Sequence, residues 1–154
     1  MHYLFVLLMT LSLSLQAAEL HGVNPDELQA LQQQGALVVD IRTPEEWKAT
    51  GIIAGSSTLM YFDKNGGYDR EAWLGELKKL VSKPDQPIVL VCRSGNRSGT
   101  VGKELAGQAG VGTVYHLEKG LRQWVAESRT LVSVESPKLK GCDKPLTVCS
   151  SGPQ

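Results

Sequence analysis

Short apolar runs alternate with helical segments along this chain, and that alternation restricts the fold more than any other feature. Residues 36–41, 88–91 and 112–117 read as strands, with a brief further strand at 57–59. Runs that are apolar throughout, rather than alternating with polar residues, belong to strands buried on both faces. Between them, Asn24-Pro25-Asp26-Glu27 and Thr43-Pro44-Glu45-Glu46 carry helix-start chemistry. Each has a capping side chain, a proline where no backbone N–H is needed, and acids in the first turn. Gly35 stops the first of these helices, and the second is short and runs through Trp47. Trp73, Leu74, Leu77, Leu80 and Val81 recur on one face of a helix over 70–81, which makes Trp73 a core residue. Another helix follows residue 98 and ends near Gly110, and the last covers 121–126 with Trp124. Strands separated by helices predict an α/β fold, a parallel sheet with helices on both faces.

Ligands of such sheets bind at the carboxyl ends of the strands. At one such end, directly after 88–91, stand Cys92, Arg93, Ser94, Gly95, Asn96, Arg97 and Ser98. A lone cysteine behind an apolar strand is ordinarily an inert core residue. Here it opens a loop of arginines, serines, glycine and asparagine, which is poor core material. Loop amides and the following helix dipole favour negative charge at that point, and the thiolate is the nucleophilic form of cysteine. Arg93 and Arg97 offer forked donors to an anionic substrate. Asp40 and Arg42 also lie at such an end, that of the run 36–41. His116, alone at a strand end, reads as structural rather than as a base.

Acidic and basic residues number 16 each in the 154-residue chain, so the net charge is zero and the basic excess of a nucleic-acid surface is absent. Residues 4–15 are apolar apart from Thr10, Ser12 and Ser14, with Ala17 and Ala18 just beyond. That pattern reads as a signal peptide over 1–18 and predicts an exported, periplasmic protein, with an uncleaved anchor as the alternative. One domain is expected over 19–128, and residues 129–154 read as a tail. The tail holds Cys142 and Cys149. In an exported protein these two would pair as a disulfide staple, a labile redox pair being the alternative, and Cys92 would remain a free thiol. The chain's three histidines, His2, His21 and His116, do not complete a zinc site with them.

The chain resembles the single-domain rhodanese sulfurtransferases over roughly residues 20–126. The pieces that carry the likeness are Val38-Val39-Asp40-Ile41-Arg42 with Glu45-Glu46-Trp47, the segment 51–56, the strand and loop from Ile88 to Ser98, and Leu117-Glu118-Lys119-Gly120-Leu121 with Trp124. Two places depart from the family pattern. The segment 51–56 lacks the family's histidine and proline, and Lys119-Gly120 replaces a pair of glycines. Cysteine phosphatases share the layout but place five residues between cysteine and arginine, whereas four separate Cys92 from Arg97. The resemblance therefore implies a small cradle for a single sulfane sulfur. It implies a thiosulfate-type donor, a persulfide on Cys92 and a thiol or cyanide acceptor. Loop residues 93–98 would bind the donor, and Asp40 and Arg42 would support the site, one loop arginine being an alternative partner for Asp40. The implied chemistry requires no cofactor or metal. A monomer is expected; the alternative readings are a sulfur carrier or binding module serving a protein partner and, behind it, a cysteine phosphatase.

Overall fold

The computed structural model describes residues 19–108 and 110–134. The apolar segment 4–15 and Cys142 and Cys149 lie outside the described residues, and with them the expected export signal and disulfide. Five strands, β1 (Leu20–Val23), β2 (Leu37–Asp40), β3 (Ser57–Thr58), β4 (Ile88–Val91) and β5 (Val114–Leu117), form one sheet in the order β1-β5-β4-β2-β3. Every pairing is parallel. The helices are α1 (Pro25–Gln33), α2 (Pro44–Thr50), α3 (Arg70–Leu80), α4 (Asn96–Leu105) and α5 (Gly120–Ala126).

Alternate residues of β2, β4 and β5 feed two separate cores. Val39, Ile88, Leu90 and Val114 pack with Trp73, Leu74 and Leu77 of α3 and Val101 and Leu105 of α4. Val38, Val89, Val91 and Leu117 pack with Leu28 of α1 and Leu121 and Trp124 of α5 on the opposite face. β4 is buried at all four residues because it has a strand on each side and helices above and below. The sheet is thus parallel and covered on both faces, as the apolar runs predict. The order in which strands are laid down reverses between β2 and β4, since β2 leads to β3 on one side and β4 leads to β5 on the other. That reversal opens a crevice at the carboxyl ends of β2 and β4.

Three elements differ from the sequence expectation. β1 is an added edge strand, paired to β5 from Leu20↔Val114 to Val23↔Leu117. Its exposed His21 and Gly22 break any apolar run, so it has no strand signature of its own. Helix α4 begins at Asn96, making Asn96, Arg97 and Ser98 its first turn rather than loop, and it ends at Leu105, the last buried residue on its core face, well before Gly110. Helix α2 continues past Trp47 to Thr50, whose hydroxyl donates back to the Glu46 carbonyl at 2.9 Å.

The first residues of the stretch read as a tail pack onto the domain. Arg129 pairs with Asp26 and Glu127 and lies over the Trp124 ring. The Trp124 indole donates to the Thr130 carbonyl at 3.1 Å, and Val132 exchanges backbone hydrogen bonds with Ile52.

Candidate active site

Cys92 follows β4 directly and is fully buried. The chain turns at Gly95 and enters α4, so the sulfur faces the start of a ten-residue helix. Helices α1, α2 and α3 are capped by the side chains of Asn24, Thr43 and Asp69. Helix α4 has no side-chain cap. The sulfur takes over that function: the backbone N–H groups of Gly95 and Ser98 donate to Cys92 Sγ at 3.1 and 3.4 Å. Ser98 Oγ lies 3.4 Å from the same sulfur and hydrogen-bonds the Gly95 carbonyl at 3.1 Å. Helix-start donors and dipole thus converge on an atom that becomes negative on ionisation.

Gly95 has φ +90°, and a Cβ there would strike the Glu118 carbonyl oxygen. The tight loop therefore depends on the absence of a side chain. Behind it sits Gly120, where a Cβ would fall 2.5 Å from the Ser94 nitrogen. The Leu121 and Arg122 N–H groups donate to the Cys92 and Arg93 carbonyls at 2.9 and 3.0 Å. The start of α5 is thus fastened to the back of the loop, and Gly120 is the glycine of Lys119-Gly120 that the contact demands.

The charged groups sort into two sets. Arg97 is committed to Glu46 through two hydrogen bonds, at 2.8 and 2.7 Å. This bidentate pair ties α4 to α2. Burial pulls the Glu46 carboxyl upward, but the Arg97 hydrogen bonds and the Thr43 N–H outweigh it and hold the group below the usual carboxylate range. Asp40 and Arg42 are both buried and pair with each other, at 2.7 Å between Nη2 and Oδ2. Neither loop arginine reaches Asp40, because Arg42 occupies it. Trp47 Nε1 also donates to Asp40, and Arg42 donates to the Thr50 hydroxyl and the Gly51 carbonyl. The pair locks the end of β2 to the middle and the C-terminal end of α2. Arg93 is exposed and makes no ion pair among the described residues.

His116 stands behind this arrangement rather than against the sulfur. Its Nδ1 lies 3.4 Å from Ser98 Oγ, and burial pushes its pKa below the usual imidazole value. The structure brings three of the residues singled out from the sequence, Cys92, Gly95 and Ser98, together around the sulfur. Sequence reasoning did not find Glu46 as the partner of Arg97, for which the signal was only a capping-box position.

The model of the rhodanese-like domain matches residues 24–127. The chain belongs to the rhodanese-like family. It is 37% identical over 109 residues to thiosulfate sulfurtransferase GlpE of Pseudomonas fluorescens strain Pf-5, covering 70% of this chain and 86% of that one. It is 32% identical over 108 residues to GlpE of Pseudomonas syringae pv. syringae strain B728a, covering 69% and 88%. Among solved structures, the polysulfide-sulfur transferase homodimer of Wolinella succinogenes superposes with a TM-score of 0.58 at 23% identity, covering 79% of this chain and 85% of that one. Thiosulfate sulfurtransferase of Pseudomonas aeruginosa superposes with a TM-score of 0.57 at 21% identity, covering 75% and 21%. At those identities the structural likeness shows the rhodanese fold alone. Both departures from the rhodanese pattern fall outside the sulfur cradle: 51–56 lies beyond α2, and the lost glycine precedes Gly120, which keeps the close contact.

Proposed function

We propose that this protein is a sulfurtransferase that moves a sulfane sulfur from an anionic donor such as thiosulfate, through a persulfide on Cys92, to a cyanide or thiol acceptor. The observation that carries this reading is the capping of α4 by Cys92 Sγ, with two backbone N–H groups and the Ser98 hydroxyl gathered on one sulfur. In the first step the Cys92 thiolate attacks the outer sulfur of thiosulfate. A bond forms between the two sulfurs, the donor's own S–S bond breaks, and its electron pair leaves with sulfite. In the second step the acceptor attacks the outer sulfur of the persulfide, and the electron pair of that S–S bond returns to Cys92 Sγ. Donors at the start of α4 stabilise the negative sulfur in both steps, as an oxyanion hole stabilises oxygen.

The loop arginines differ in role. Arg93, exposed and without an ion pair among the described residues, draws the donor's anionic head. Arg97 fixes the loop through Glu46 and contributes positive charge from a set position. Ser94, Gly95, Asn96 and Ser98 shape the cradle, and Asp40 and Arg42 hold the floor beside it. The export read from residues 4–15 forms part of this proposal.

Purified protein is expected to make thiocyanate from thiosulfate and cyanide, and Cys92→Ala is expected to abolish the activity with the fold retained. Turnover by Cys92→Ala at the wild-type rate would contradict the assignment.

A further inference from the structure

A groove of about 530 Å³ runs beside the active loop, between α2 and α5. Its walls are mainly carbon, from Ala49, Leu121, Val125, Ala126 and Leu131. That volume is in the range that holds a drug-sized ligand. A thiosulfate ion has only a few atoms and would leave most of it empty. Val125, on the groove wall, is a large apolar side chain left 56% exposed.

Four charged residues also line the groove: Arg42, Glu46, Arg93 and Arg122. Two of them are spent. Arg42 is held by Asp40, and Glu46 by Arg97. Arg93 and Arg122 make no ion pair among the described residues. Their main chains are joined, since the Arg122 N–H donates to the Arg93 carbonyl at 3.0 Å, and both residues line the groove. Arg93 is also the residue after the nucleophile. The groove is thus lined by two arginines that make no ion pair among the described residues, one of them in the loop, and by a wall that is mainly carbon.

We propose that this groove binds the sulfur acceptor, and that the acceptor is a thiol with a carboxylate or similar anion close to its thiol and an aliphatic arm beyond. The inference rests on the sulfurtransferase reading and names the substrate class of that site. The anion sits between Arg93 and Arg122, and the arm lies along Leu121, Val125, Ala126 and Leu131. The acceptor thiolate attacks the outer sulfur of the Cys92 persulfide. A new S–S bond forms on the acceptor, the Cys92 S–S bond breaks with its electron pair returning to Cys92, and the product is the acceptor's own persulfide.

The test compares three thiols as acceptors from thiosulfate: thiolactate, α-mercaptooctanoate, and the analogue of the latter whose carboxylate is reduced to an alcohol. The persulfide product is trapped by alkylation and quantified. Thiolactate has the anion without the arm, and the alcohol has the arm without the anion. The expected kcat/KM for α-mercaptooctanoate exceeds those of both others by about tenfold or more, from its buried methylenes and its ion pair. Val125→Asn, a neutral change at an exposed position that removes apolar surface from the wall, is expected to lower kcat/KM for α-mercaptooctanoate by about threefold or more while leaving thiocyanate formation from cyanide unchanged. Equal kcat/KM for the three thiols, or no effect of Val125→Asn on the long one, overturns the groove assignment while cyanide turnover leaves the enzyme reading standing. Absence of turnover with cyanide as well as with every thiol overturns both.

Discussion

At the scale of single residues, the site depends on one sulfur doing what a capping side chain does elsewhere in the molecule. Gly95→Ala would force a side chain into a backbone with φ +90° and against the Glu118 carbonyl. It is expected to cost about 3 kcal/mol in urea unfolding, from the left-handed backbone and the overlap together, and to remove sulfur transfer. Arg42→Met leaves the Asp40 carboxylate buried without its cation, and an expected loss of about 3–5 kcal/mol follows from breaking a buried pair by removing one partner. A loss below about 1 kcal/mol would mean that Asp40 finds other compensation. Cys92, Gly95 and Ser98 were legible because a polar loop behind a buried strand has few uses other than binding. The mutual pairing of Asp40 and Arg42 was less so. Two residues apart at a strand end, they could equally have faced solvent, and only the packing of Trp47, Thr50 and Gly51 around them encloses the pair.

At the scale of elements, the bridge between α2 and α4 is the Arg97–Glu46 pair, and it carries a pH signature. The Glu46 carboxyl is held below the usual carboxylate range in the folded protein. Its stabilising contribution is therefore fully present above the unfolded carboxylate pKa and is lost as pH falls through the lowered folded value. Glu46→Gln is expected to destabilise the protein by about 1 kcal/mol at pH 7, the half-exposed setting keeping the effect modest. The difference from wild type should shrink on acidification below the ordinary carboxylate range. Urea unfolding of both proteins across that range checks this, and a constant difference would contradict it. Helix starts at α1 and α2 were readable because Asn24 and Thr43 cap them with a proline following. The true start of α4 at Asn96 was hidden because its cap is a sulfur three positions before the usual place, outside any capping motif. β1 was hidden for another reason: its pairing comes from the free edge of β5, a long-range contact that leaves no local pattern.

At the scale of the whole molecule, the reversal between β2 and β4 decides where chemistry can sit. It brings Asp40 level with Val91, and so sets the buried Asp40–Arg42 pair beside the nucleophile's strand. The sheet was predictable from its apolar runs, but the closing of the domain by residues 129–132 was not, since that segment has no periodicity and acts through single contacts. Ending the chain after Ser128 removes the Arg129 ion pairs, the Thr130 carbonyl under Trp124 and the Val132 bridge to Ile52. Such a truncation is expected to cost about 2 kcal/mol and to lower Tm by several degrees, compared with a chain ending after Val134. Equal melting temperatures would show that these contacts do not stabilise the domain. The central claim is that the sulfur capping α4 carries the transferred atom. Mass spectrometry of the protein after thiosulfate treatment, with peptide mapping, addresses it most directly. The expected result is one added sulfur atom on the peptide containing Cys92, removed by cyanide; an unmodified Cys92 peptide, or an adduct that cyanide leaves in place, would contradict the account.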